Sequence, residues 1–516
     1  MRLSVLCLCL VFLATGSLRG QFDYGSTGKI FWLGYMENLT LAFNGAPEFQ
    51  VLISADEPGT ATIGTPATGF SFSQEYGVGV TEVVFPEAIY YGEGSDITTN
   101  FGMRIETTSE VDVTAVHYRI YFTDATLVLP QTALAANYRV MATSDLDGLH
   151  ASEFVVLATE DNTEVTITPT ANTLSLYPVG VPFDVTLDAG ESYQVQSLGD
   201  LTGSRVEALG GQKLAVFGGA VQADISCSLA DNHLWDQTLP IHPGDTLFMP
   251  VPFSDKDYSV CKILAHTDGT TVQVGTQLDV TLDAGEWAET ELSAPTAVQS
   301  SAPISVSLLN PSQSCTGDIG DPSLLNLLPP RCYIDGAEYE ALVGMEGNTM
   351  MFSKHHVTIL AEGFALPNVT LDGTNLSSAF TPYPDLSGWF YTQIEVDPGE
   401  VDLGCPAGCT AWATGFGDYD GYTFHLPFID KEQYLSVNGQ DPLRISLFPN
   451  PAKNQFSIQT AGGQWCAELY TVSGQHLGSR TFAGTTVWDT TALPSGIYLV
   501  QVTGRDGQRS LRVAVR

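Results

Sequence analysis

Short segments of alternating apolar and polar residues recur along the chain. Thr163–Pro169 and Thr270–Leu282 alternate with a period of two residues, which predicts strands with one buried face. Phe154–Thr159 and Lys213–Val221 are continuous apolar runs, which favour strands buried on both faces. Helical periodicity extends over one or two turns at most. The pattern therefore predicts an all-β protein.

One part of this pattern occurs twice. The sequence VTLDAGESYQV at Val185–Val195 returns 95 residues later as VTLDAGEWAET at Val280–Thr290. The segments upstream of the two copies also correspond, and a fainter third copy lies at His355–Leu376. This spacing exceeds the roughly 20–50 residues of a solenoid repeat. We interpret the copies as tandem β-sandwich-like modules.

The repeated Asp-Ala-Gly-Glu turn contains paired carboxylates, which raises the alternative of acid–base catalysis. Turn chemistry explains the same residues. Gly190 and Gly285 can supply a positive φ angle in a tight turn, and Asp188 and Asp283 can accept hydrogen bonds from local backbone N–H groups. Because a motif present twice is more typical of shared architecture than of two active sites, we expect a structural role.

Charge divides the chain unevenly. Residues 21–442 contain 11 Lys plus Arg against 55 Asp plus Glu, a net charge of −44, whereas residues 443–516 contain 7 against 3, a net charge of +4. The acidic part argues against nucleic acid as a partner, because phosphates would be repelled. The simplest interpretation of this acidic excess is a well-hydrated extracellular surface. Structural calcium in the acidic loops Asp145–Gly148 and Gly417–Tyr422 is a weaker alternative, since neither has a twelve-residue ligand pattern.

The first twenty residues predict export. Arg2 precedes a short apolar run that ends in small residues, which is typical of a secretory signal peptide at residues 1–20. No later segment approaches the roughly 18 apolar residues that a membrane-spanning helix needs.

An exported protein is expected to contain disulfides. Outside the signal peptide and the last 74 residues, the candidates are Cys227, Cys261, Cys315, Cys332, Cys405 and Cys409. Pairing of sequence neighbours (227 with 261, 315 with 332, 405 with 409) is the simplest of the 15 connectivities that six cysteines allow.

The acidic part resembles the IgGFc-binding protein N-terminal domain family. The resemblance runs over residues 28–310 and is carried by FVVLATEDNTEVTITP, KLAVFGGAVQADISC and the segment Asn232–Pro240, which stands where the family has Asp-His-Leu-x-Glu-Gln-Leu-Pro-Pro. Asn232 departs from the family's Asp. The resemblance implies a secreted β-rich binding or adhesion region and no known reaction.

The last part of the chain resembles the C-terminal sorting domain of the type IX secretion system of Bacteroidetes. Its short alternating strands, separated by Pro and Gly, predict a small antiparallel β-sandwich. The motif residues that carry the resemblance are Pro449, Asn450, Pro451, Gly474, Leu493, Pro494, Gly496 and Tyr498. The resemblance implies that the type IX machinery recognises this domain and that the protein is secreted or attached to the outer-membrane surface after passing through the periplasm.

These observations divide the chain into five parts. They are a signal peptide (1–20), an IgGFc-binding-like region with the internal repeat (21–310), an additional β-rich module (311–437), a linker (438–442) and the sorting domain (443–516).

We predict a binding or adhesion protein rather than an enzyme, without a cofactor, whose partner is an extracellular protein or glycan. The aromatic segment Phe380–Gln393 is one candidate contact surface. The alternative is a secreted hydrolase acting on glycans, since such an enzyme needs only two carboxylates about 5–10 Å apart.

Overall fold

The computed structural model describes residues 25–516 apart from 40–44, 87–90, 229, 317–318, 347–348, 431–445, 449–451, 460–464, 472–474, 492, 495, 505–506 and 516. The predicted signal peptide and linker lie outside the described residues. The chain divides into two compact units, residues 1–432 and 433–516. β-Strands dominate both units, which confirms the all-β prediction. Among the described residues, no helix has the length and apolar character needed to cross a membrane.

The larger unit begins with a first module built around one long strand. Its strands are β1 (Gly28–Leu33), β2 (Glu48–Ala55), β3 (Gly59–Thr65), β4 (Phe70–Tyr76), β5 (Gly79–Val84), β6 (Ile97–Thr99), β7 (Met103–Tyr118) and β8 (Asp124–Val128), with a 3-10 helix at Pro66–Thr68. The sheet order is β4-β3-β7-β2-β5, and β1 and β8 also pair with β7. The 16-residue β7 can hold four partners because different stretches of its two edges bind different strands.

The second module is a two-sheet sandwich. Its strands are β9 (Asn137–Arg139), β10 (Ser152–Ala158), β11 (Thr163–Thr168), β12 (Phe183–Leu187), β13 (Ser192–Ser197), β14 (Arg205–Ala208), β15 (Leu214–Ala223) and β16 (Asn232–Gln237). One sheet has the order β16-β15-β10-β13-β6 and the other β12-β11-β14-β9. As predicted from their apolar runs, β10 and β15 are buried along their whole length.

The third module repeats the second strand for strand. It consists of β17 (Leu247–Phe248), β18 (Ser259–Ala265), β19 (Thr270–Val274), β20 (Leu278–Leu282), β21 (Trp287–Leu292), β22 (Val298–Ser300), β23 (Ile304–Leu309) and β24 (Leu324–Asn326), with a short helix α1 (Gln313–Thr316) before β24. Its sheets, β17-β22-β19-β20 and β21-β18-β23-β24, have the same order as the corresponding strands of the second module. The predicted tandem sandwiches are therefore confirmed for these two modules.

The fourth module is different. Its strands are β25 (Cys332–Ala341), β26 (Met345–Glu346), β27 (Thr349–Met350), β28 (Phe352–Glu362), β29 (Thr370–Leu371), β30 (Thr374–Asn375), β31 (Thr381–Pro382), β32 (Trp389–Val396), β33 (Gly399–Gly417), β34 (Asp420–His425) and β35 (Ile429–Asp430), with a 3-10 helix at Leu366–Asn368. Nine of these strands form one sheet with the path β30-β29-β33-β28-β32-β31. The fainter third copy lies in this single sheet, so it does not repeat the two-sheet order. One hydrophobic core combines residues of the first and fourth modules with a few residues of the second.

The smaller unit is a separate sandwich. It contains β36 (Ser446–Phe448), β37 (Gln455–Gln459), β38 (Trp465–Thr471), β39 (His476–Phe482), β40 (Thr485–Asp489), β41 (Gly496–Gly504) and β42 (Gly507–Val515). The sheets β36-β37-β40 and β39-β38-β41-β42 enclose a core that includes Phe456, Trp465 and Val500.

Candidate functional site

The Asn232–Gln237 strand β16 lies where several modules of the larger unit meet. Asn232 is fully buried. Its Nδ2 amide donates hydrogen bonds to the carbonyl oxygens of Thr123, Pro322 and Gly421, at 3.1, 2.9 and 3.1 Å. These acceptors belong to three segments that are far apart in the sequence. Asn232 therefore joins these segments at one point.

Asp236 makes a second junction from the same strand. Its carboxylate accepts hydrogen bonds from the Thr126 hydroxyl in the first module at 2.5 Å and from the Asn326 N–H in the third module at 2.7 Å. Burial raises the pKa of Asp236 to about 7, although these hydrogen bonds oppose the shift. The carboxylate holds neighbouring modules together.

The rings of β16 pack between apolar and aromatic side chains. Trp235 is fully buried, stacks on Tyr35 with ring centroids 5.0 Å apart, and donates its indole N–H to the Gly34 carbonyl at 3.1 Å. His233 lies 4.8 Å from His117, measured between ring centroids, and burial lowers its pKa to about 3. Burial also lowers the pKa of His117 well below its ordinary value, so both histidines are neutral near pH 7. The side chains of Asn232–Gln237 are thus buried in contacts within the larger unit.

The two Asp-Ala-Gly-Glu turns use their carboxylates in the same way. In the second module, Asp188 accepts a hydrogen bond from the Asn162 N–H at 2.9 Å, and Glu191 accepts one from the Asp188 N–H at 2.8 Å. In the third module, Asp283 accepts from the Gly269 N–H at 2.9 Å, and the glutamate three residues later accepts from the Asp283 N–H at 2.8 Å. These bonds are those of a structural turn.

Each turn also docks on the preceding module. Gly190 and Gly285 have φ angles of 87° and 93°, so the predicted left-handed conformation is confirmed. The Gly190 carbonyl accepts a hydrogen bond from the Gly102 N–H at 3.1 Å. The Gly285 carbonyl approaches Gly203 so closely that a Cβ there would lie 2.2 Å from it. The repeated motif is thus a contact between consecutive modules.

The predicted neighbour pairing of cysteines is wrong for the first four. Cys227 is bonded to Cys315, 88 residues away, with their Cα atoms 5.8 Å apart. Cys261 and Cys332 are free and fully buried in two different hydrophobic cores. Proximity in sequence failed as a guide because the bond joins the segment after β15 to the helix α1, which only folding brings together.

Cys405 and Cys409 are free thiols that contact each other. Both are buried in the core that residues of the first, second and fourth modules form. Burial raises the pKa of Cys409 well above its usual range. The predicted disulfide between them is therefore not formed in this structure.

The sorting motif is partly described. The Tyr498 hydroxyl donates a 2.8 Å hydrogen bond to the Pro494 carbonyl, and the Leu493 N–H bonds to the carbonyl of Thr490 at 3.0 Å. Gly496 begins β41. These contacts fix the turn that leads into β41. The motif residues Pro449, Asn450, Pro451 and Gly474 lie outside the described residues.

Two other surfaces considered from sequence are occupied by protein contacts. In the acidic loops, Asp145 accepts the Leu149 N–H at 2.8 Å, and Asp420 accepts the Thr123 N–H at 3.0 Å. In the aromatic segment, Tyr383 is buried and its hydroxyl donates to the Pro250 carbonyl at 2.9 Å. The neighbouring Trp389 packs on the core of the third module. The aromatic segment contributes mainly to packing.

Sequence reasoning missed a cleft between the first and fourth modules. Its volume is about 510 Å³. Six acidic residues line it: Asp56, Glu110, Asp112, Asp335, Glu338 and Asp402. The sequence signal was the charge excess alone, because the lining combines segments that are far apart along the chain.

The cleft perturbs its own carboxyl groups. Burial raises the pKa of Asp112 to about 6, and the charge of Asp56 adds to the increase, while Ser26 and Thr27 donate hydrogen bonds that oppose it. Burial, followed by nearby carboxylates, also raises the pKa of Glu338. The cleft therefore combines six acidic side chains, one of which gains its proton near pH 6.

Comparison with known proteins gives two family matches. The model of the IgGFc binding protein family matches residues 124–415, which is 292 of the 516 residues. The match begins at β8, covers the second and third modules and ends in β33 of the fourth. The model of the secretion system C-terminal sorting domain matches residues 446–516. Both families and their order agree with the resemblances seen in the sequence.

A curated relative is the IgGFc-binding protein of Homo sapiens. It is 24% identical over 393 residues, which cover 74% of this chain and 7% of the human protein. The chain thus corresponds to a small part of that relative.

Proposed function

The chain belongs to the IgGFc binding protein family, and from this premise we propose that it is a secreted or cell-surface protein that binds an extracellular partner and serves adhesion. Its sorting domain indicates export by the type IX secretion system. The observation that carries the proposal is the order of the two family matches on one chain, a binding-family region at 124–415 followed by the sorting domain at 446–516.

The acidic cleft gives this proposal a testable surface. Six carboxylates line a concavity in the part of the chain that would be displayed outside the cell. Such a lining attracts cationic protein surfaces and repels anionic ones, and it raises the association rate at low ionic strength. We therefore favour a partner that presents lysine or arginine side chains.

Export is tested by expressing the chain with and without residues 443–516 in a host that has the type IX machinery, followed by cell fractionation. The full chain should reach the surface or the medium, and the truncated chain should remain in the periplasm. Surface delivery of the truncated chain would contradict the sorting role.

Binding is tested with the exported protein on arrays of extracellular proteins and glycoproteins at low and high salt. A triple variant of the cleft (Asp56→Asn, Glu338→Gln, Asp402→Asn) should lose binding to cationic partners. A matched triple variant of exposed carboxylates elsewhere (Glu164→Gln, Asp279→Asn, Asp397→Asn) should keep it. Equal losses in both variants would mean that net charge, and not the cleft, governs binding.

One observation favours the second candidate, a glycan-acting hydrolase. The cleft places Asp112, whose pKa is about 6, near the carboxylate of Asp56. A carboxyl with a raised pKa near a second carboxyl group is the arrangement of a glycosidase acid and its partner. If the protein hydrolyses glycan substrates and Asp112→Asn abolishes that activity without unfolding the chain, this candidate replaces adhesion.

A further inference from the structure

Trp287 differs from the other tryptophans that the structure describes. The remaining six pack in or against a hydrophobic core, whereas Trp287 belongs to none of the cores and is partly exposed. It lines a cavity of about 420 Å³ between the second and third modules. A large aromatic ring kept out of the core and facing a cavity needs a reason other than burial.

A buried lysine holds this ring in place. The Lys262 ammonium lies 4.2 Å from the centroid of the Trp287 ring, and its side chain is fully buried. The ammonium donates to the Asp200 carboxylate at 2.6 Å and the Ala142 carbonyl at 3.1 Å, and lies 3.1 Å from the Glu289 carboxylate. These contacts connect the two modules. The Trp287 side chain is therefore held in one orientation before a ligand binds. This preorganisation lowers the conformational-entropy cost of binding.

The rest of the cavity lining combines polar and apolar groups. Asp224 and Glu291 contribute carboxylates, and Val260 and Leu309 contribute aliphatic surface. Ile225 and Ser226 form part of the wall and directly precede Cys227, whose disulfide to Cys315 anchors that segment. The site is thus supported by an ion pair on one side and a covalent bond on the other.

We propose that the cavity lined by Trp287 binds a neutral sugar unit of an extracellular glycan. An aromatic plate offers a surface for the apolar C–H face of a pyranose ring, and carboxylates accept hydrogen bonds from its hydroxyl groups. Lys262 already occupies the position of a cation against the ring and pairs with Asp200 and Glu289, and the four lining carboxylates disfavour an anion. This inference rests on the proposed binding function and names one ligand class for it.

The test uses the full exported chain on an array of neutral oligosaccharides, followed by titration calorimetry with the best ligand. Trp287→Ala should weaken binding about tenfold or more, and Trp287→Phe should retain part of it because a smaller plate remains. Trp287→Ala also removes the contact with the buried Lys262 ammonium and should lower the unfolding temperature, so binding is measured well below the unfolding temperature of each variant, and Trp287→Phe keeps a ring against the ammonium. Phe364→Ala, which removes a 51% exposed aromatic ring in the fourth module, is the matched control and should bind like the wild type.

Binding of Trp287→Ala within twofold of wild type, or equal loss in Phe364→Ala, would overturn the assignment. So would a wild-type protein that binds cationic or anionic glycans but no neutral ones. A wild-type protein that binds a protein partner and no sugar would remove this site and leave the proposed function intact. A protein that binds neither would remove both.

Discussion

Asn232→Asp exchanges an amide nitrogen for an oxygen at the junction of three segments. The Nδ2 group donates to three carbonyl oxygens at 2.9–3.1 Å, and the Oδ1 atom accepts from the His233 N–H at 2.9 Å. The IgGFc-binding protein family has an aspartate at this position. A comparison of sequences alone would therefore predict that the substitution leaves the stability unchanged. The contacts predict strong destabilisation.

The magnitude follows from the donors that are lost. The amide has two N–H donors shared among the three carbonyl oxygens, and an ionised carboxylate at position 232 has none, so about two buried acceptors lose their donors at a cost of about 1–3 kcal/mol each. Protonation of that carboxylate restores one of the two donors. We therefore expect a loss of roughly 3–5 kcal/mol in the free energy of unfolding at pH 8. The loss should be smaller by about 1–2 kcal/mol at pH 5, because the buried carboxyl takes up a proton there.

The assay is urea unfolding followed by tryptophan fluorescence at the two pH values. Asn100→Asp is the control, because Asn100 is exposed and the same change of charge there should cost less than about 0.5 kcal/mol. If Asn232→Asp matches this control at both pH values, the three hydrogen bonds do not stabilise the junction and the reasoning is wrong.

Three further predictions concern stability. Replacing Cys227 and Cys315 with Ser removes a bond that closes a separation of 88 residues and should lower the free energy of unfolding by about 2–5 kcal/mol; a loss below about 1 kcal/mol in urea would contradict it. Asp188→Ala and Asp283→Ala should each cost about 1 kcal/mol and agree within about 0.5 kcal/mol, because their hydrogen bonds correspond; unequal losses in thermal unfolding would show that the two turns differ. Burial lowers the pKa of His233 to about 3 from an ordinary 6.5, so the unfolded chain binds a proton that the folded chain does not, and the stability present above pH 6.5 is lost as the pH falls below it. The free energy of unfolding is measured between pH 7 and pH 5. His233→Gln should make its decrease with falling pH smaller by up to about 1.4 kcal/mol per pH unit, and an unchanged slope would refute the prediction.

The strands and their repetition could be predicted because they depend on local pattern. A period of two residues and a duplicated Asp-containing turn act within about ten residues, so each copy specifies the same hydrogen bonds wherever it occurs in the chain. The sorting domain could also be predicted from the sequence, because its turns and strands are contiguous in the chain.

The disulfide, the acidic cleft and the Trp287 cavity could not be predicted in the same way. Cys227 and Cys315 lie 88 residues apart, and the cleft combines residues of the first and fourth modules. No local periodicity in the sequence predicts these long-range contacts, because they depend on how the folded modules pack against each other.

The sequence by itself thus determined the all-β class, the repeated sandwich and the export signal. Only the tertiary structure decided that Asn232 and Asp236 are junctions, that the repeated turns dock one module on the next, and that Trp287 faces a cavity. The physical reason is one of range: backbone hydrogen bonds and turn chemistry are satisfied locally, whereas burial and contact between modules are properties of the whole packed unit.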